Sequence, residues 1–148
     1  MVLNSGACVT IIGRDNDRLK NALGKLQTES ARCSGSALDV TKSDEFSLFL
    51  NKHTHFDHIV SMLGGAISGG FLDNTTDEIE KVVRGKFIDN LKLANIAIEH
   101  LNKNGSIIFT SGSGGSPATA SGAYIGNLSI NKLVQGLALE LAPDYRTV

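Results

Sequence analysis

The sequence predicts a three-layer α/β domain in which a parallel sheet carries helices on both faces. Three observations predict it. Short β-branched runs alternate with amphipathic segments along the chain, an order that makes consecutive strands parallel. Glycines close the strand runs, at Gly13 and at Gly64-Gly65. The 148 residues are 41% hydrophobic and 20% charged, with 16 Gly against 2 Pro and no Trp, which excludes disordered, collagenous and membrane classes.

Each element has its own signal. Ala7 to Ile12 is a β-branched run ending in Gly13 and reads as a strand buried on both faces. Asp15 then caps Asn16 to Gln27, where Leu19, Leu23 and Leu26 recur at helical spacing. Ala37 to Val40 reads as a second strand, Ser43 to Leu50 as a second helix, and Asp57 to Leu63 as a third strand. Thr76-Asp77-Glu78 opens the longest helical pattern, expected to run to about Asn102 and to stop before Gly105. Ser106 to Thr110 is a fourth strand, followed by a small-residue loop from Ser111 to Ser121. A last apolar helix spans Tyr124 to Leu141, and Arg146 to Val148 begins a further strand.

No repeat or linker interrupts this order, so residues 1–148 read as one domain. Lys+Arg 14 against Asp+Glu 15 leaves a net charge of -1, which gives no field to draw the chain onto nucleic acid or anionic lipid, and neither is an expected partner. No apolar run approaches a membrane span and no export pattern follows Met1, so the expected compartment is the cytoplasm. Cys8 and Cys33 lie outside metal-type spacing and are expected as reduced structural thiols. His53, His55, His58 and Asp57 cluster locally, but strand alternation points neighbours apart, and no metal site is expected.

The ordered set Gly13-Arg14-Asp15, Leu38-Asp39-Val40, Asp57-His58-Ile59-Val60, Gly64, Gly105 to Gly112 and Leu137 to Pro143 resembles the short-chain dehydrogenase/reductase family over essentially the whole chain. The resemblance implies a Rossmann-like sheet that binds a nicotinamide dinucleotide at the carboxyl ends of its strands. It places Arg14 where a guanidinium can pair with a 2′-phosphate, and Gly13 where NAD-preferring members carry an acid. NADP(H) is therefore the expected cofactor over NAD(H). Without the resemblance, Arg14 reads as a solvated loop charge. Asp39 and Val40 match an adenine-contacting pair, although Asp39 also reads as a turn residue. Gly64 keeps the glycine of the family's Asn-Asn-Ala-Gly slot, while Met62 and Leu63 depart from it. Lys86 stands where most members carry a helix asparagine; from sequence it reads as a surface lysine.

By the same resemblance, the reaction is hydride transfer between the nicotinamide and a small carbonyl or alcohol substrate, served by a Ser-Tyr-Lys set. Ser111 and Tyr124 are the candidates for the first two, at the family's separation. Counting back from Leu137 to Pro143 instead puts Ala123 in the tyrosine slot and Asn127 in the lysine slot. The Tyr-x-x-x-Lys pair is broken, and Lys132, eight residues past Tyr124, is displaced by about 12 Å of helical rise. Asn127 can bond a ribose hydroxyl but cannot lower a phenol pKa by charge. The alternative reading is an inactive relative that binds a nucleotide or a partner. The first strand and its glycine-rich turn, and the segment beyond Val148, are expected to be missing, leaving the sheet incomplete at both ends. The two longest helices are expected to pair across a homodimer or homotetramer interface.

Overall fold

A computed structural model describes residues 2–27, 32–53, 55–112, 116, 118–142 and 146–147. The backbone gathers into two compact units, Met1–Phe49 and Leu50–Val148, and each is described by itself.

In the first unit a short 3-10 turn, Val2–Ser5, leads into β1 (Val9–Gly13), α1 (Asn16–Gln27), β2 (Cys33–Ala37) and α2 (Ser43–Asn51), whose last residues belong to the second unit. Asp15 Oδ1 accepts from the Asp17 and Arg18 amides at 3.0 and 2.9 Å, and so caps α1 where the sequence places it. The apolar stripe of α1 lies on β2, where the bare Cα of Gly35 admits Leu19 and Leu23; a Cβ there would stand 2.8 Å from Leu23 Cδ1. β1 and β2 pair in parallel, from Val9 opposite Cys33 to Gly13 opposite Ala37.

Two expectations are corrected in this unit. β2 lies at Cys33–Ala37, not Ala37 to Val40, because pairing with β1 recruits a small-residue segment without β-branched character. Leu38 follows the strand, its amide donating to Gly13 O at 3.1 Å. β1 is half-buried along its length, not fully buried, and Cys8, just before it, is exposed; Cys33 is buried.

The second unit holds β3 (Phe56–Ser61), β4 (Leu101–Phe109) and β5 (Arg146–Thr147) in the order β3-β4-β5, all parallel. β4 is the central strand and carries the core through Leu101, Ile107 and Phe109, whereas β3 is an edge strand with Val60 56% exposed. Register runs from His58 opposite Ser106 to Ser61 opposite Phe109 and breaks toward Phe56, which pairs with Leu101. Asn104, at φ 65°, turns the chain within that break. β4 thus starts at Leu101, earlier than expected, and Gly105 lies inside it.

The long helical pattern is three pieces. α3 (Thr76–Val83) opens on a capping box, with Thr75 Oγ1 accepting from Glu78 N and Glu78 Oε2 from Thr75 N. A π-turn, Arg84–Ile88, then widens the helix, α4 (Asp89–Ala97) resumes it, and a 3-10 turn, Ile98–His100, ends it. α5 (Ser121–Leu141) begins three residues before the expected Tyr124. Its start is tied down from outside: Gly69 N donates to Thr119 O at 2.8 Å and Ser121 N to Gly69 O at 3.2 Å. The described part of the loop before it is 111–112, 116 and 118–120; residues 113–115 and 117, with Gly114 and Gly115, lie outside the described residues, as do Pro143 and Val148.

Candidate functional site

Candidate residues collect at strand ends in each unit. In the first, the Leu38 amide to Gly13 carbonyl bond draws Gly13, Arg14, Asp39 and Val40 to the carboxyl edge of the β1–β2 pair. Arg14 is exposed, and Gly13 beside it adds no charge. Asp39 Oδ1 accepts from the Thr41 hydroxyl at 2.8 Å and the Thr41 amide at 3.1 Å. That hydroxyl bond holds the carboxyl below its ordinary value, helped by the Thr41 amide and the Arg14 and Lys42 charges, against a smaller opposing effect of burial. Asp39 is therefore both the turn residue and a fixed, ionised carboxylate. Lys42 is engaged with Glu45 at 2.9 Å.

In the second unit the site is built on the ends of β3 and β4. Ser61, the last residue of β3, donates through Oγ to Asn90 Oδ1 at 2.6 Å, and both residues are buried. Asn90 Nδ2 in turn donates to Lys86 O at 2.7 Å, with longer contacts to Gly85 O and Leu63 O. Asn90 ties the π-turn to the sheet by bonding its carbonyls through the side chain. The backbone of Lys86 is thus fixed by a buried amide anchored to the sheet.

Lys86 is half-buried, which corrects the expectation of a surface lysine. Its stem lies between two glycines. A Cβ on Gly126 of α5 would stand 2.8 Å from Lys86 Cβ and Cδ, and one on Gly64 would stand 2.9 Å from Cγ and 3.4 Å from Nζ. Gly64 also adopts φ 137°, a conformation L side chains rarely take. Beyond β4, a Cβ on Gly112 would stand 2.7 Å from Asn127 Nδ2, so the Asn127 head occupies the space a side chain at 112 would need.

Ser111 and Asn127 are brought together: Ser111 Oγ reaches Asn127 O at 3.5 Å. Ala123 and Asn127, four apart on α5, are 8% and 7% exposed and share its buried face. Tyr124 is half-buried in the first turn of α5, and no described residue bonds its hydroxyl. Asn127 Oδ1 is buried and has no hydrogen-bond partner among the described residues. Asp57 and His58 are engaged with Asn102 and Ser106, each at 2.8 Å. Sequence reasoning missed Asn90 and Gly126, and met Ser61 and Gly112 only as members of motifs without a role of their own. Asn90 did carry a signal, a lone polar residue inside the apolar pattern of the long helix. No described helix is long and apolar enough to cross a membrane.

The family model described as short chain dehydrogenase matches residues 1–147. Short-chain dehydrogenase/reductase fsr5 of Gibberella fujikuroi is 29% identical over 153 residues, covering 96% of this chain and 57% of that protein. Among solved structures, an NADPH-bound short chain oxidoreductase from Pseudomonas aeruginosa PAO1, described as containing an atypical catalytic center, matches with a TM-score of 0.88 at 21% identity. That match covers 97% of this chain and 60% of that one. A short-chain dehydrogenase from Streptomyces avermitilis matches with a TM-score of 0.82 at 20% identity, over 99% and 56% of the two chains. The strands and crossovers are thus those of the Rossmann-like α/β fold, and the chain spans little more than half the length of the curated relative.

Proposed function

This chain belongs to the short-chain dehydrogenase family, and on that premise we propose that it binds NADP(H) in preference to NAD(H) and transfers hydride between that cofactor and a small carbonyl or alcohol. The observation that carries this reading is the carboxyl edge of β1. There an exposed guanidinium, Arg14, follows the neutral Gly13, beside the ionised Asp39. A guanidinium pairs bidentately with phosphate, and no acid at position 13 competes for a ribose 2′-hydroxyl. Asp39 would accept from the adenine amine, with Val40 against the ring. Gly64, whose positive φ favours glycine and whose Cα packs against the Lys86 stem, would set the loop at the end of β3 beside a ribose.

A bound nicotinamide supplies the hydride; this chain supplies orientation and the proton. Ser111 would polarise the carbonyl oxygen and Tyr124 would exchange the proton with it. Tyr124 lacks a lysine four residues on, so its phenol has no such cation to assist it and turnover is slow; a lost general acid typically costs roughly 10²- to 10⁴-fold. The second reading, an inactive relative acting as a nucleotide-binding or oligomerisation module, is favoured by the pair Ala123 and Asn127 on the buried face of α5. A carbonyl-reduction screen with NADPH separates the two. Reduction that Tyr124→Phe abolishes supports the first, and a rate unchanged by the substitution removes Tyr124 from the chemistry.

Homo-oligomerisation and a cytoplasmic setting belong to the same proposal. Ile125, Leu128 and Leu139 on α5 are 38%, 47% and 84% exposed, an apolar stripe that a second copy would cover. The cysteines Cys8 and Cys33, which lie outside metal-type spacing, suit a reducing compartment. Light scattering that finds a monomer at micromolar concentration would refute the oligomer.

A further inference from the structure

We propose that His55 and His100 form a two-imidazole site for Zn²⁺ at the amino edge of β3 and β4, where the ion joins the starts of the two strands. The site lies at the opposite end of these strands from Ser61 and Ser111, and it is independent of the cofactor reading.

Two segments distant in the chain bring the rings together. His55 immediately precedes β3, and His100 ends the 3-10 turn that leads into β4. The first residues of those strands, Phe56 and Leu101, are register partners, so each histidine stands one residue before the same rung. The ring centroids are 6.1 Å apart and the planes tilt by 39°. That tilt is neither the parallel arrangement of an offset stack nor the perpendicular one of an edge-to-face pair. Just past the rung, Asp57 Oδ1 accepts from Asn102 Nδ2 at 2.8 Å and holds the strand starts side by side. The local run of histidines is not what gathers. His58 Nδ1 lies 2.8 Å from Ser106 Oγ and the His53 ring lies against Phe56, whereas His55 meets a ring from another element.

The separation admits one ion between two nitrogens. Zn–N bonds of about 2.0–2.1 Å put the metal about 3.2 Å from each ring centre, so two ligating rings stand about 5.2 Å apart at a tetrahedral angle and about 6.4 Å apart when opposed. The observed 6.1 Å lies inside that range, and His55, being exposed, can turn to narrow the angle. Neither imidazole makes a hydrogen bond or ion pair with a described residue, which leaves a nitrogen of each for a ligand. Imidazole suits late first-row ions, and Zn²⁺, with no geometric preference from its d electrons, accepts the angle that the strand starts impose. Among the described residues no group of three or more His, Cys, Asp or Glu side chains gathers, so water completes the shell.

The ion acts on the least regular part of the sheet. Register between β3 and β4 breaks between Phe56 and His58, where Asn104 turns the chain at φ 65°. The Phe56–Leu101 rung is thereby separated from the continuous ladder that starts at His58 and Ser106. Zinc on the two histidines ties that rung from outside, as the Asp57–Asn102 bond ties it from within. The ligands come from separate strands and meet only in the folded chain, so binding the ion stabilises the fold.

The test titrates the whole chain with ZnCl₂ at neutral pH. At about ten times its Kd the ion is expected to raise Tm by roughly 3–6 °C. His55→Ala and His100→Ala are each expected to weaken zinc about tenfold or more and to remove that rise, while His53→Ala keeps it. In long-range ¹⁵N spectra of the unsubstituted chain, two of the four imidazoles shift together as one equivalent of zinc is added, and the signals lost in His55→Ala and His100→Ala identify them. No rise in Tm in the wild type overturns the site. A rise that survives His55→Ala or His100→Ala places the ion elsewhere, for example at the exposed Cys8, and also overturns it. Imidazole signals that do not move with zinc overturn it without any substitution.

Discussion

Asn90 gives the sharpest test of how the π-turn is held. It is 1% exposed, its Oδ1 accepts from Ser61 Oγ at 2.6 Å, and its Nδ2 donates to Lys86 O at 2.7 Å. Asn90→Leu keeps the volume and removes both bonds, with the longer contacts to Gly85 O and Leu63 O, leaving the hydroxyl of Ser61, a residue 2% exposed, without an acceptor and the Lys86 carbonyl without its side-chain donor. Each buried group left unsatisfied costs about 1–3 kcal/mol, so the expected destabilisation is roughly 2–5 kcal/mol. For a chain of this size that is a fall in Tm of roughly 5–15 °C. Urea unfolding read by circular dichroism measures it. Ser61→Ala on the Asn90→Leu background removes one of the stranded groups and should cost less than it does in the wild type, a positive coupling of about 1 kcal/mol or more. A loss below about 1 kcal/mol for Asn90→Leu, or strict additivity with Ser61→Ala, would refute the network as the support of the turn.

Arg14→Ala is expected to weaken NADPH roughly tenfold or more and NADH hardly at all, measured by fluorescence titration; equal losses would sink the 2′-phosphate assignment. Asp39 is held below its ordinary pKa in the folded chain, so its ionised form adds stability at neutral pH that is lost as pH falls below the usual carboxylate range. Asp39→Asn should flatten that acid limb of a Tm-against-pH profile, and an unchanged limb would contradict the Thr41 bond. Thr75→Ala removes one half of the capping box on α3 and should lower Tm by roughly 2–4 °C, whereas Thr76→Ala next to it should leave Tm nearly unchanged.

What the sequence disclosed tracks how local each cause is. α1 was legible to the residue because Asp15 supplies the cap and Leu19 and Leu23 the stripe, all within a few positions. The parallel order followed from alternation alone. β2 was misplaced because its formation depends on β1, twenty-four residues away in register (Val9 to Cys33), and its own residues are small. The π-turn has no local signature; it is stabilised by Asn90, which is anchored on Ser61 across the fold. Gly13, Arg14, Asp39 and Val40 could be nominated from order and type. Lys86 could not be valued, since its burial depends on Gly64 and Gly126, both distant in sequence.

The most direct measurement of the central claim is a titration of the purified chain with NADPH and, in parallel, NADH, following dihydronicotinamide fluorescence, which no tryptophan in this sequence obscures. The account predicts saturable binding of NADPH with Kd on the order of micromolar and at least about tenfold weaker binding of NADH. No saturable change with NADPH, or equal affinity for the two, would contradict it.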